Sequence, residues 1–185
     1  MDPEIRSVRT QYNGVWYRSA LEADWAATFD RLEIYFEYEP EPLRLPSGAV
    51  YDCDFFLPTQ RTYCEAKGAH NERLWKPKEF AAVLRAVYWP QEYQVIVLRA
   101  AGPGGAAAWE TADGSPPVKL IRCDHYGDAD GYSFTDYRDD GVTFCRRCGR
   151  EWTGWYLGYT SALGAPEDSS SNPLKMEHVA RPGAA

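Results

Sequence analysis

The chain has 185 residues and a net charge of -7, with 44% hydrophobic residues, 7 Trp and 13 Tyr. That suits one packed domain, or one domain with a small appended module, and excludes a disordered chain. No apolar run approaches the roughly 20 residues that cross a bilayer. The start Met1-Asp2-Pro3-Glu4 also lacks the basic-then-apolar pattern of a signal peptide, so a cytoplasmic protein is expected. In that compartment the 5 cysteines are expected as thiols or metal ligands rather than disulfides. The acidic balance argues against a simple basic nucleic-acid binder. Most of it lies in residues 1–67, which hold 12 acidic and 7 basic side chains.

In chain order, residues 1–13 are polar and read as irregular. From Tyr17 the apolar residues Leu21, Trp25, Phe29 and Leu32 recur every three or four positions, which predicts a helix with one buried stripe. Ser19 suits its N-cap, and Glu22 three residues on completes a capping box. Glu33 to Glu39 reads as a strand with Ile34, Phe36 and Tyr38 on one side, broken by Pro40 and Pro42. Leu43 to Leu45 and Ala49 to Tyr51 flank the turn Pro46-Ser47-Gly48 as a hairpin.

Two further strands follow, Tyr51 to Pro58 and Arg61 to Gly68, joined by a turn at Pro58 to Gln60. Strand alternation puts Glu65 and Lys67 on one face, and antiparallel pairing brings Asp54 beside them. Taken alone, Glu65-Ala66-Lys67 would read as a surface ion pair. Its apolar setting, with Tyr51, Phe55, Phe56, Leu57, Tyr63 and Cys64, predicts a buried sheet instead. There, clustered charges are costly unless they are paired or hold a metal. Lys78 to Trp89 is helical in pattern, with Phe80, Val83, Leu84, Val87 and Tyr88 apolar and Pro77 in its first turn. Gln94 to Leu98 reads as a buried strand, and its connection through the helix implies parallel pairing with the strand holding Glu65.

Asp54 with Glu65-Ala66-Lys67, in this order of elements, resembles the PD-(D/E)XK nuclease superfamily. Cys53 stands where the motif has Pro. The resemblance implies an α/β, restriction-endonuclease-like mixed β-sheet flanked by helices. It implies Asp54, Glu65, the Ala66 carbonyl and Glu22 as ligands of Mg²⁺ or Mn²⁺, with Lys67 orienting the attacking water. Arg18 to Ala23 looks like the first-helix start of phage and transposon-type nucleases, where a Glu reaches the metal; the capping box competes for Glu22. Arg73, Lys76 and Lys78 are then candidates for the path of a DNA backbone.

Residues 100–117, rich in Gly, Ala and Pro, read as a linker between a core at 1–99 and a module at 118–160. In the module, Cys123-Asp124-His125 and Cys145-Arg146-Arg147-Cys148-Gly149 make two short ligand pairs, which suit a structural tetrahedral Zn²⁺. Either His125 or Asp124 completes Cys123, Cys145 and Cys148. Val118 to Ile121 and Trp152 to Tyr159 read as strands, so the module resembles a zinc ribbon. Arg146, Arg147 and Arg150, beside Trp152 and Trp155, suit phosphate contact and base stacking, and suit a protein interface equally well. Residues 161–185 read as a flexible tail.

The function expected from this is Mg²⁺-dependent phosphodiester hydrolysis on DNA, by a homodimer or within a larger replication or recombination assembly. The alternative is a catalytically silent, zinc-containing DNA-binding or assembly module of the same fold. Gly102-Pro103-Gly104-Gly105 lacks the Lys-Ser/Thr of a P-loop, and no Ser-His-Asp set is convincing.

Overall fold

The computed structural model describes residues 7–68, 73–88, 93–100, 107–114, 118–123, 131–137, 143–151 and 158–159. The described residues form a mixed α/β structure of two α-helices and several sheets. A short hairpin comes first, β1 (Thr10–Tyr12) with β2 (Val15–Tyr17), in the segment expected to be irregular. Asn13 and Gly14, both at positive φ, close its turn, the backbone that a tight two-residue loop requires.

Helix α1 (Ala20–Arg31) starts as its cap predicts: the Ser19 side chain accepts from the Glu22 amide at 3.1 Å. It buries Trp25, Ala26 and Phe29. Glu33, at φ 53°, stops it in the left-handed region, and the Ile34 amide turns back onto the Phe29 carbonyl at 2.9 Å. That stop shortens the strand expected over Glu33–Glu39 to β3 (Glu37–Tyr38). The inward side of the expected alternation survives: Ile34 is buried and Phe36 packs on the core, while Tyr35 is exposed.

Next come β4 (Leu43–Arg44) and β5 (Val50–Tyr51), paired as the expected hairpin. The strand expected from Tyr51 to Pro58 is broken, because β6 (Phe55–Leu57) belongs to a different sheet from β5. A 3₁₀ turn, Pro58–Gln60, joins β6 to β7 (Thr62–Ala66). Helix α2 (Trp75–Tyr88) and β8 (Gln94–Ala100) complete a crossover in which β7 and β8 pair in parallel, Glu65 opposite Val97. Phe80, Ala81 and Leu84 form the buried face of α2; Val87, expected there, is exposed.

The segment expected as a linker contains β9 (Ala107–Thr111), the edge strand of the main sheet, paired with β8. Its Gly-Ala-Pro surroundings hide a short run that is apolar at Trp109, which is 1% exposed. The main sheet therefore has the order β3-β6-β7-β8-β9. A second sheet has the order β12-β11-β10-β13, from β10 (Lys119–Cys123), β11 (Gly131–Tyr137), β12 (Thr143–Cys145) and β13 (Gly158–Tyr159).

The two sheets share one core. Val118, Leu120 and Phe134 pack in the same apolar cluster as Trp25, Phe29, Phe55, Ile96 and Trp109. The Trp109 ring meets Phe134 edge-on at 5.5 Å, and its indole N–H donates to the Val118 carbonyl at 3.0 Å. The second sheet therefore packs onto the main core through Val118, Leu120 and Phe134. Helix α2 covers the opposite face of the main sheet with Leu45, Tyr51, Cys53, Val95 and Val97. The expected tail, 161–185, lies outside the described residues.

Candidate functional site

Pairing of Phe55 with Cys64 carries Asp54, one residue before β6, to the position opposite Glu65 at the end of β7. There the Asp54 carboxylate spans two elements. Its Oδ2 accepts from the Ala66 amide at 2.7 Å, and its Oδ1 accepts from Arg18 Nη2 at 2.6 Å. Glu65 and Lys67 share a face, as alternation requires, with Lys67 Nζ 2.5 Å from Glu65 Oε1. The second oxygen, Glu65 Oε2, is buried and unsatisfied among the described residues, with the Tyr51 hydroxyl interacting with the same carboxylate. Asp54 is 5% exposed and Glu65 6%. Asp54, Glu65, Ala66 and Lys67 are thus brought together; Ala66 takes part through its amide.

Arg18, just before the Ser19 cap, reaches the same place. Its Nη2 holds Asp54, its Nε lies 2.8 Å from Glu39 Oε1, and Glu22 Oε2 is 3.9 Å away. Glu39 is set there by its backbone, whose amide donates to the Asp54 carbonyl at 2.9 Å. Two cations, Arg18 and Lys67, therefore face four carboxylates, Glu22, Glu39, Asp54 and Glu65. The excess negative charge is felt at Asp54. Burial, and then the neighbouring Glu65 and Glu22, push its pKa up to about 8, against the Ala66 amide and Arg18, which pull it down. Burial also pushes up the Tyr51 hydroxyl and the Cys53 thiol, with Glu65 adding to both.

Glu22 braces the Ser19 cap, but at the Arg18 amide, one residue before the position that the expected capping box uses. Its Oε1 accepts from the Ser19 hydroxyl at 2.7 Å, and its Oε2 accepts from the Arg18 amide at 3.1 Å and the Tyr38 hydroxyl at 2.6 Å. It lies close enough to Asp54 to act on its charge, but both its oxygens are engaged by the protein.

The basic side chains expected to track a DNA backbone divide. Arg73 and Lys78 are exposed near the start of α2. Lys76 is tied to β5: its ammonium donates to the Val50 carbonyl at 2.8 Å and lies 5.6 Å from the Trp75 ring centre. Arg150 is exposed and Arg147 partly so, but Arg146 corrects the expectation for that cluster. It is 6% exposed, its amide bound to the Phe134 carbonyl at 3.0 Å, so its guanidinium is not on the surface beside the other two.

The second cluster lies at the end of the second sheet. Strand β10 ends in Cys123 and β12 in Cys145, and the turn after β12 brings Cys148 back to both. The ligand atoms of the three cysteines lie within 4.8 Å of one another. The turn closes through Gly149, at φ 71°, whose amide donates to the Cys145 carbonyl at 2.7 Å. Burial alone would raise the Cys145 thiol, but the backbone amides of Cys148 and Arg147, with Ser133 and Cys123, bring it below its ordinary value. Three converging thiols with one favouring its thiolate form suit a soft metal such as zinc. Both options for the fourth ligand, Asp124 and His125, lie outside the described residues.

Sequence reasoning missed Arg18, Tyr38 and Glu39. A signal for Arg18 was present: Arg18 and Glu22 form an i, i+4 charge pair at a helix start. Nothing local points to Tyr38, which meets Glu22 only through the fold. Comparisons with family models, with curated proteins and with solved structures each returned no match.

Proposed function

We propose that this chain is a divalent-metal-dependent phosphodiesterase acting on DNA, built on a restriction-endonuclease-like core of the PD-(D/E)XK type with a zinc-ribbon-like module. The observation that carries this reading is the carboxylate end of the main sheet. Two buried carboxylates face each other there, a lysine sits 2.5 Å from one of them, and one buried oxygen is unsatisfied among the described residues. An orphaned carboxylate oxygen beside a second carboxylate fits a hard cation with oxygen ligands. Mg²⁺ or Mn²⁺ bound there by Asp54 and Glu65 would acidify water and neutralise charge growing on a phosphate.

The chain's own groups do the rest. The Ala66 amide fixes Asp54, and Lys67 holds Glu65 Oε1 so that Oε2 is left for the ion. As a compact ammonium with three donors, Lys67 can also orient the attacking water or contact the scissile phosphate. The fit of Glu22 as a further ligand is poorer, because its oxygens already accept three hydrogen bonds. Cys123, Cys145 and Cys148 would hold structural Zn²⁺, with Arg147 and Arg150 beside them to meet DNA phosphates.

The test is cleavage of duplex, single-stranded and branched DNA across a Mg²⁺ and Mn²⁺ titration. Wild type should cut only with the metal, and Asp54→Asn and Lys67→Ala should each lose about a hundredfold or more, the scale of a removed charge-stabilising group. Metal-independent or unaltered cleavage in both variants would rule the reading out. A second reading, a catalytically silent DNA-binding module, is favoured by the way Arg18 and Glu22 satisfy the site from within. It predicts DNA binding without cleavage in the same titration.

A further inference from the structure

Arg18 is held at two levels. Its backbone is pinned: the amide meets Glu22 and the Tyr38 hydroxyl, and the carbonyl accepts from the Ser7 hydroxyl at 2.5 Å. Its guanidinium is not: the Arg18 side chain is 47% exposed, with Nη2 on buried Asp54 and Nε on half-exposed Glu39. The Tyr38 hydroxyl also meets the guanidinium, and with Asp54 and Glu39 these contacts use fewer than the five donors that the group carries. This is a planar fork with a fixed base, one buried partner, one surface partner and spare donors.

Asp54 Oδ1 is the oxygen that Arg18 occupies, and it is one of two carboxylates that a cation at this end of the sheet would use. The other, Glu65, offers a buried oxygen that is unsatisfied among the described residues. A divalent ion taking Asp54 Oδ1 would displace Nη2 from its acceptor, and would set a cation against the guanidinium.

Resting on the reading of the carboxylate end given above, we propose that Arg18 is an exchange residue. It guards Asp54 in the metal-free chain, gives it up when a divalent ion enters, and then binds a backbone phosphate of the DNA. Glu39 keeps hold of Nε through the exchange, so the released nitrogens stay at the mouth of the site. Two N–H donors from one planar group then meet two phosphate oxygens, which a lysine cannot reproduce. Arg18 thereby couples the two ligands: the ion frees the residue that recognises the phosphate.

The experiment is calorimetric titration of the full chain with Mn²⁺ alone, followed by binding of a cleavage-resistant phosphorothioate duplex at saturating Mn²⁺. Wild type, Arg18→Gln, Arg18→Lys and Asp54→Asn are compared. Arg18→Gln should bind Mn²⁺ about tenfold more tightly than wild type, about 1.4 kcal/mol, and the duplex about tenfold more weakly. Arg18→Lys, which keeps the charge but loses the fork, should recover most of the wild-type ion affinity and little of the duplex affinity. It also decides the matter if the glutamine variant does not fold. Unchanged Mn²⁺ affinity in Arg18→Gln, or unchanged duplex affinity, overturns the exchange. Loss of Mn²⁺ in Asp54→Asn alongside such a failure would leave the metal site standing. Mn²⁺ binding indifferent to Asp54→Asn would instead remove the reading on which the exchange rests.

Discussion

The carboxylate end of the main sheet and the cysteine end of the second sheet are both clusters of ligand-type side chains, held together in different ways. At the carboxylate end the chain supplies its own counter-charges: Arg18 on Asp54 and Glu39, Lys67 on Glu65, and the Ala66 amide on Asp54. At the cysteine end three thiols converge, and among the described residues Ile121 is packed with Cys123 and Cys145. A site that supplies part of its own counter-charge can stay folded without a cation and release one readily. Converging thiols instead gain their stability from an ion that the sulfurs hold. Under the proposed function, a catalytic ion would sit at the first kind of site and a structural ion at the second.

The sharpest way to break this contrast is to remove metal from each end. Cys148→Ser, or a strong zinc chelator, should cost on the order of 10 kcal/mol, the scale of a structural zinc site, and abolish stoichiometric zinc in the purified protein. Because Val118, Leu120 and Phe134 share the main core, the loss should appear in thermal melts as one transition of the whole chain. Withholding Mg²⁺ should lower the same melt by much less, at most about 3 kcal/mol, the mass-action effect of a readily released ion. Equal effects of the two treatments would erase the distinction.

Next in size is the bridge between the ends. Trp109→Ala removes the ring against Phe134 and the bond to Val118, and should cost about 3–5 kcal/mol in denaturant melts. Separate unfolding of the second sheet in that variant would show that Trp109 joins the two parts into one unit.

The charge excess at the carboxylate end predicts a pH dependence with a definite sign. Asp54 has a folded-state pKa of about 8 against an ordinary 3.8, so the folded chain binds its proton more tightly than the unfolded chain does. This stabilisation is complete below about pH 4 and is lost as the pH rises through about 8. In metal-free protein, wild type should lose on the order of a few kcal/mol across that window, and Asp54→Asn much less. The same proton competes with the ion, so Mn²⁺ affinity should climb through the upper part of the window. Parallel melts of both proteins from pH 4 to 9 decide it; equal slopes would mean that Asp54 does not carry the excess.

The smallest effect separates cap from ligand. Glu22→Ala should cost about 1 kcal/mol through the lost capping box, with DNA cleavage within about tenfold of wild type. A loss beyond a hundredfold with the helix intact would return Glu22 to the metal.

Some of this was legible early. The stripe through Trp25 and Phe29, the capping box, the Leu43–Tyr51 hairpin and the β7–α2–β8 crossover follow from local pattern, because side-chain period and turn chemistry act over a few residues. The β1–β2 hairpin and β9 were missed, since their three and five residues are too few for a period to stand out. Strand β11 was missed as well: it begins in a stretch rich in Asp and Gly that reads as a loop between ligand pairs. Arg146 reads as a surface cation by type, and only its packing buries it.

By itself, then, the order of residues determined that Glu65 and Lys67 share a face, that Asp54 comes to meet them, and that Cys145 and Cys148 sit on one turn. These are consequences of strand alternation and short connections, which no distant part of the chain can alter. Tertiary structure alone decided what each charge is for. Arg18 reaches Asp54 across 36 positions and Tyr38 reaches Glu22 across 16. Whether a carboxylate is a cap, an ion-pair partner or an open ligand depends on which donor arrives first within hydrogen-bond distance. That is set by how sheet and helix pack together, a relation between segments that local pattern does not encode.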